Sequence, residues 1–319
     1  MALRSGLAAQ LGIGVESTVG TAVTPTRFYP FNEESLALTI ERIESEGLRA
    51  GDRVMRSSRW VSGQRTVEGS FSMDMTSENS GILFKHLLGA VTTTGSGPYT
   101  HVCTLGDPHG LGLTVEVGRP DVSGTVRAFT YNGCKLTECV LGNSVGELLT
   151  GEFTVSGQDE TTGSVTSASY PASSEILSFV GATITLGGSS YDVTDVSINI
   201  NTGLNAERFY LGANTRKEPV AANMVEITAE LTSEFASLTE YNRVINATSA
   251  ALVAKWEGSV ISGGTKRKIE VNLPACRFDG TTPNVGGPGI VEQQLTAKAL
   301  NDGSNPPIEI TVVNSDSAA

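Results

Sequence analysis

The chain reads SMDMTSENSGILFKHLLG from Ser72 to Gly89 and TAELTSEFASLTEYNRVI from Thr228 to Ile245. Each stretch starts with alternating polar and apolar residues, passes through Thr-Ser-Glu, and goes on with apolar residues at helical spacing. In the first, Phe71, Met73 and Met75 alternate with Ser70, Ser72 and Asp74; in the second, Ile227, Ala229 and Leu231 alternate with Glu226, Thr228 and Glu230. Thr76-Ser77-Glu78 then matches Thr232-Ser233-Glu234 at an offset of 156, with Ser and Thr suited to cap a helix and Glu to its positive end. Ile82, Leu83, Leu87 and Leu88 give the first expected helix an apolar side, with Gly89 as its stop; Phe235, Leu238, Tyr241 and Ile245 do the same in the second.

The correspondence extends both ways. Upstream, Leu36, Leu38 and Ile40 alternate with Ala37, Thr39 and Glu41, as Val196, Ile198 and Ile200 alternate with Ser197, Asn199 and Asn201, at an offset of 160. A long polar loop follows each of these strands. Downstream, LLTGEFTV (148–155) matches IVEQQLTA (290–297) at an offset of 142. Four elements in one order and one inside/outside phase point to duplication, with loops of different length between the copies. The expected division is 1–172 and 173–319, inside the polar segment GQDETTGSVTSASYPASS.

The totals agree with a mostly β protein. Thirty-six glycines, short apolar runs and abundant Thr, Ser and Val suit strands and turns, and 319 residues suit two domains. A formal charge of −12 argues against tight nucleic-acid binding, which draws its affinity from Lys and Arg at phosphates. Cys103, Cys134, Cys139 and Cys276 lack metal or redox spacing and read as reduced, mostly buried thiols. No run approaches the ~20 apolar residues of a membrane span, and the N-terminal segment is too polar and glycine-broken for a secretory signal. Residues 1–31 hold too little periodicity for a core of their own and are expected to lie across a neighbour; NSDSAA at the other end is expected to fray.

GVESTVGTAVTPTRFYPF (14–31) and LPACRFDGTTPNVGGPGIVEQQLTAKAL (273–300), with the strand–long loop–strand–helix order, resemble the tail tube proteins of long, non-contractile bacteriophage tails. The resemblance covers most of the chain, which is about twice the length one such unit needs. It implies two tandem β-sandwich or barrel-like tail-tube domains, each with a flanking α-helix and a long hairpin loop. It further implies stacked rings around a DNA-sized bore. Three two-domain chains would close such a ring with pseudo-sixfold symmetry; a hexamer with one domain decorating the outside is the alternative geometry. The implied partners are further copies of the chain, a tape measure protein, a tail terminator, distal tail or baseplate proteins, and double-stranded DNA in transit, with no membrane. The implied location is the virion tail, after synthesis in the host bacterial cytoplasm.

On that resemblance, Thr39, Glu41, Ser70, Ser72, Asp74, Ser197, Asn199, Asn201, Glu226, Thr228 and Glu230 face the lumen. None is cationic, so DNA phosphates would find no anchor there; in a free monomer the same face is simply solvated. The loop between the first two strands carries Arg49, Arg53, Arg56, Arg59, Trp60 and Arg65, and its counterpart Arg208, Phe209, Tyr210, Arg216 and Lys217. Arg and aromatic residues anchor interfaces, so both loops are expected to contact other subunits or the adjacent ring, against an acidic surface. The competing reading is a flexible solvated loop.

The residues give no reason to expect an enzyme, a cofactor or a metal site. His101, Cys103, Asp107 and His109 are of types that serve as nucleophiles or ligands, but nothing else in the sequence supports them. Adjacent Glu33 and Glu34 would point to opposite faces of a strand, and the glycine turn at Gly286 lacks the context of a phosphate loop. A two-domain β-sandwich adhesin or decoration protein that binds carbohydrate is the alternative function; it would need an exposed aromatic platform, and the chain has only Trp60 and Trp256.

Overall fold

The structure, a computed structural model, describes residues 5–172 and 174–319. The first half contains β1 (Gln10–Glu16), β2 (Arg27–Tyr29), β3 (Glu33–Glu34), β4 (Ala37–Glu44), β5 (Trp60–Asp74), α1 (Ser80–Leu88), β6 (Gly89–Gly95), β7 (Tyr99–Leu105), β8 (Gly112–Pro120), β9 (Val126–Ser144), β10 (Thr150–Gly157) and β11 (Asp159–Ser164). The second contains β12 (Ala182–Leu186), β13 (Ser189–Ser190), β14 (Asp195–Asn201), β15 (Leu204–Asn205), β16 (Val220–Ala221), β17 (Glu226–Glu234), α2 (Leu238–Ile245), β18 (Ala250–Ser262), β19 (Thr265–Gly280), β20 (Glu292–Ala299) and β21 (Glu309–Asn314). Short 3-10 turns at Gly6–Ala8 and Phe179–Gly181 precede β1 and β12.

One antiparallel sheet runs through both halves in the order β4–β5–β10–β9–β14–β17–β20–β19. Its strands alternate in sequence because one face is buried. Met73, Gly151, Leu141, Ile198, Ala229, Ala297 and Phe278 form one inward row. Phe71, Phe153, Cys139, Ile200 and Ile227 form the next, with the Phe71 and Phe153 rings stacked at 5.4 Å. β9 and β19 are long enough to leave this sheet and serve others. The start of β9 pairs with β8 and β11, and the start of β19 with β18 and β21. Gly133, at φ 61, sits in β9 where it changes sheets, a left-handed conformation that a side chain would strain.

The pairing scheme recurs. β1, β8, β9 and β11 pair in series, as do β12, β18, β19 and β21. β4–β5–β10–β9 likewise matches β14–β17–β20–β19. The halves are joined by β9 with β14 and by β7 with β21, and one hydrophobic core draws on both.

Several expectations need correction. β5 and β17 both end against the start of the next paired strand, Asp74 opposite Thr150 and Glu234 opposite Glu292. The two Thr-Ser-Glu stretches are therefore not equivalent: the second is the end of a strand, and the first follows one. Matching them slips the register by four, an even number, which leaves every side chain on its expected face. α1 starts after Asn79 without a side-chain cap, whereas α2 is capped by Ser237, which accepts from the Thr239 N–H at 3.2 Å. Gly89 does end α1, at φ 98. The expected apolar side of α2 is not enclosed: Leu238 and Ile245 are exposed.

From Gln10 onward the N-terminal arm packs into its own chain, while residues 1–4 of that expectation lie outside the described residues. Leu11 and Ile13 are fully buried in β1, which pairs with β8; Gly12 and Gly14, packed closely on Phe28 and Val23, hid the alternation. The C-terminal NSDSAA is pinned rather than frayed. Asp316 accepts from the Asn79 N–H at 2.6 Å and pairs with Arg27 at 3.4 Å, and the Lys85 ammonium donates to the Ala319 carbonyl at 3.0 Å. Cys134 and Cys139 lie within one strand, β9, and all four cysteines are free and buried.

Candidate functional site

The eight-stranded sheet turns a polar face away from the core. Across it, Ser72, Glu152, Val140, Asn199, Thr228, Lys298 and Arg277 stand in one row, and Asp74, Thr150, Gly142, Ser197, Glu230, Thr296 and Asp279 in the next. Ser70, Thr154, Glu138, Asn201 and Glu226 form a third. Thr39 opposes Thr66 on the same side, and Glu41 continues it along β4 past a bulge. All the residues expected on a common polar face are thus brought together, from both halves, on one surface.

The sheet adds members that the repeat comparison missed: Glu68, Glu138 and Glu152, and two cations at its far edge. The β9 and β10 alternation was the available signal. Each cation is matched by a carboxylate. Lys298 pairs with Glu226, which it holds below the usual carboxylate range, and Arg277 with Asp279 at 2.7 Å. Asn199 donates to Glu138 at 2.7 Å and Asn32 to Asp74 at 3.0 Å. The face therefore carries excess negative charge with no unpaired cation among these residues.

Both long loops leave the sheet at one end, between β4 and β5 (45–59) and between β14 and β17 (202–225). Trp60 and Arg65 fall in β5 rather than in the loop. Trp60 lies under the Arg42 guanidinium at 5.4 Å, and Arg65 pairs with Asp159 at 2.6 Å. Arg49 and Arg56 flank Asp52, while Arg53 and Arg59 are exposed beside Leu48, Val54 and Met55. In the second loop Arg216 is enclosed. It donates to Ser156 Oγ at 2.7 Å and pairs with Glu68 at 3.1 Å, so it anchors the loop across the end of the polar face. Arg208 donates to the Glu218 carbonyl at 2.7 Å; Phe209 is half-buried, and Tyr210 and Lys217 are exposed. The second loop meets β5 where the Arg65 N–H donates to the Asn214 carbonyl at 2.8 Å.

Glu218 ties this loop to the body through the fully buried Lys135, at 2.7 Å, and through His109, at 3.0 Å. Burial pushes its carboxyl up, but hydrogen bonds from Lys135 and the Gly110 N–H outweigh it and leave it below the usual range. The nucleophile-type residues separate. His101 is enclosed against Asn314, Asp316 and Thr93, and burial pushes the Cys103 thiol up to about 12. His109 faces Glu218 instead. Among the described residues no group of three or more His, Cys, Asp or Glu could hold a metal ion, and no helix is long and apolar enough to cross a membrane.

A family model described as phage tail tube protein matches residues 6–299. No curated protein matches the chain.

Proposed function

Because the chain belongs to the phage tail tube protein family, a structural component of the virion tail, we propose that three copies close a ring and that such rings stack into a tube. The two halves, 1–172 and 173–319, are two copies of one tube unit, so the ring is pseudo-sixfold. The polar sheet face lines the bore, and the two long loops reach the adjacent ring. Further partners are the tape measure protein, the tail terminator and distal tail or baseplate proteins, met after synthesis in the host bacterial cytoplasm. DNA passes through without sequence-specific contact.

The observation that carries this reading is the β9–β14 ladder, which fuses the two halves into one sheet with one polar face. A hexamer with one half as external decoration would leave half of that face without a role. Excess negative charge on the wall repels phosphate, so duplex DNA slides rather than binds. The carbohydrate-binding alternative gains little support, since Trp256 is fully buried, donating to Asn143 at 2.9 Å, which leaves Trp60, exposed with Arg42 over one face of its ring, as a lone surface tryptophan.

Glu41→Lys, Asp74→Lys and Glu230→Lys together test the wall. The expected outcome is tubes of unchanged shape that retain duplex DNA, with retention falling steeply as salt rises, whereas wild-type tubes retain none. Equal retention by both tubes would contradict the lumen assignment.

A further inference from the structure

The chain contains, once and internally, a junction between its two halves, and it leaves one unmatched copy of each side of that junction at its outer boundaries. We propose that the β19–β20 turn of one chain (281–291) docks on the 3-10 turn at Gly6–Ala8 of a second copy, forming the same junction between chains. This rests on the ring reading and gives it an address.

The internal junction is well defined. The β9–β10 turn is clasped by the segment that opens the second half. Val145 N–H donates to the Thr194 carbonyl at 3.0 Å, Leu149 N–H to the Leu177 carbonyl at 2.9 Å, and Phe179 N–H to the Glu147 carbonyl at 3.2 Å. Leu148 and Ser178 form an antiparallel bridge. Beside them, Asn143–Val145 close one wall of a hollow of about 310 Å³ whose other walls are Phe179, Ala182–Ile184 and Ser190–Thr194.

Each participant has a counterpart that lacks this partner. Ser5 (φ −147, ψ 173) precedes the first 3-10 turn as Ser178 (φ −143, ψ 171) precedes the second. Both turns lead into strands that pair with the first strand of a long hairpin, β1 with β8 and β12 with β18. Each turn holds an apolar side chain in water at the same place: Leu7 is 83% exposed and Val180 79%. The β19–β20 turn corresponds to the β9–β10 turn, with Ile290 at the position of Leu148, and its Val285 and Ile290 are 77% and 72% exposed. The hollow beside the first 3-10 turn, lined by Leu7, Tyr29–Glu34, Arg119 and Tyr170, measures about 770 Å³. It is open where the internal one is closed by the end of β9. Finally, β14 pairs with β9, whereas its counterpart β4 pairs, among the described residues, with β5 alone and leaves its outer edge unpaired.

Transferring the internal contacts places Ile290 of one chain beside Ser5 of the next and sets the Gly289 carbonyl to accept from the Gly6 N–H. Burial of exposed apolar side chains and pairing of a free strand edge both favour closure. Because every chain carries both sides of the junction, the contact is head-to-tail, and three such contacts close the ring when each turns the chain by a third of a circle.

Cysteine pairs read the geometry directly, because facing residues of an antiparallel bridge have Cα atoms about 4.5–5.5 Å apart, within disulfide reach. The four native thiols are buried and give no background. Leu148→Cys with Ser178→Cys in the full chain is the internal control and should oxidise within one chain, losing its two thiol hydrogens without joining chains on a non-reducing gel. Ser5→Cys with Ile290→Cys should oxidise between chains, giving covalent dimers and trimers that stop at the trimer, in particles that electron microscopy shows as rings or tubes. Rings that form without this cross-link, while the control pair oxidises, overturn the junction and leave the ring reading standing. Monomers without rings or cross-links under assembly conditions overturn both.

Discussion

His86 is a single residue whose environment sets a measurable pH response. It is enclosed in α1, where Nδ1 donates to the Ile82 carbonyl at 2.8 Å and Nε2 has no partner among the described residues. Burial lowers its pKa from 6.5 to about 4. Above pH 6.5 the ring is neutral in both folded and unfolded chains and the full stability is present. As pH falls from 6.5 to about 4 only the unfolded chain takes up the proton, so stability falls by up to about 1.4 kcal/mol per pH unit; below that the loss levels off. Urea unfolding across this range should show the slope in the wild type and a reduced slope in His86→Gln; equal slopes would contradict it. The helical spacing of the stretch 72–89 puts His86 in a helix but does not say which way its ring faces; the packing around α1 decides that. Arg216 was harder to read. A cation in a loop looks exposed, and its enclosure depends on Ser156, Val67 and Glu68, which lie far away in the chain. Only the fold brings them together.

Among the elements, the strands were the most legible, because period-2 alternation records which face is buried whatever the register. This is why the expected polar residues share one face although the Thr-Ser-Glu match is four residues out of register. The helices were less legible: α2 shows the apolar spacing of a packed helix, yet Leu238 and Ile245 remain exposed. Strand interruptions were not legible at all. At Gly69 the chain passes the junction of β3 and β4 at φ 145, and a Cβ there would lie 2.5 Å from the Ser35 carbonyl oxygen. Gly69→Ala should therefore cost about 2–3 kcal/mol, from backbone strain and displacement of β4. Gly146→Ala, at φ 89 with open space around it, carries the conformational cost alone, about 1 kcal/mol. Equal urea midpoints for the two variants would show that the β3–β4 approach is looser than described.

At the scale of the whole molecule, the recurrence of elements along the chain was visible in the sequence, but the way the halves join was not. No local pattern reveals that β9 pairs with β14 or that β21 reaches back to β7, since both ladders connect distant segments. Those ladders turn two similar halves into one sheet, and the sheet gives the proposed bore a continuous wall. The measurement that tests this most directly is electron cryomicroscopy of the assembled protein, resolving end-on symmetry and side-chain direction together. The account predicts rings of three chains with pseudo-sixfold outline, stacked, with Ser72, Glu152, Asn199 and Thr228 facing the central hole. Rings in which that face points outward, or in which only one half of each chain reaches the hole, would contradict it.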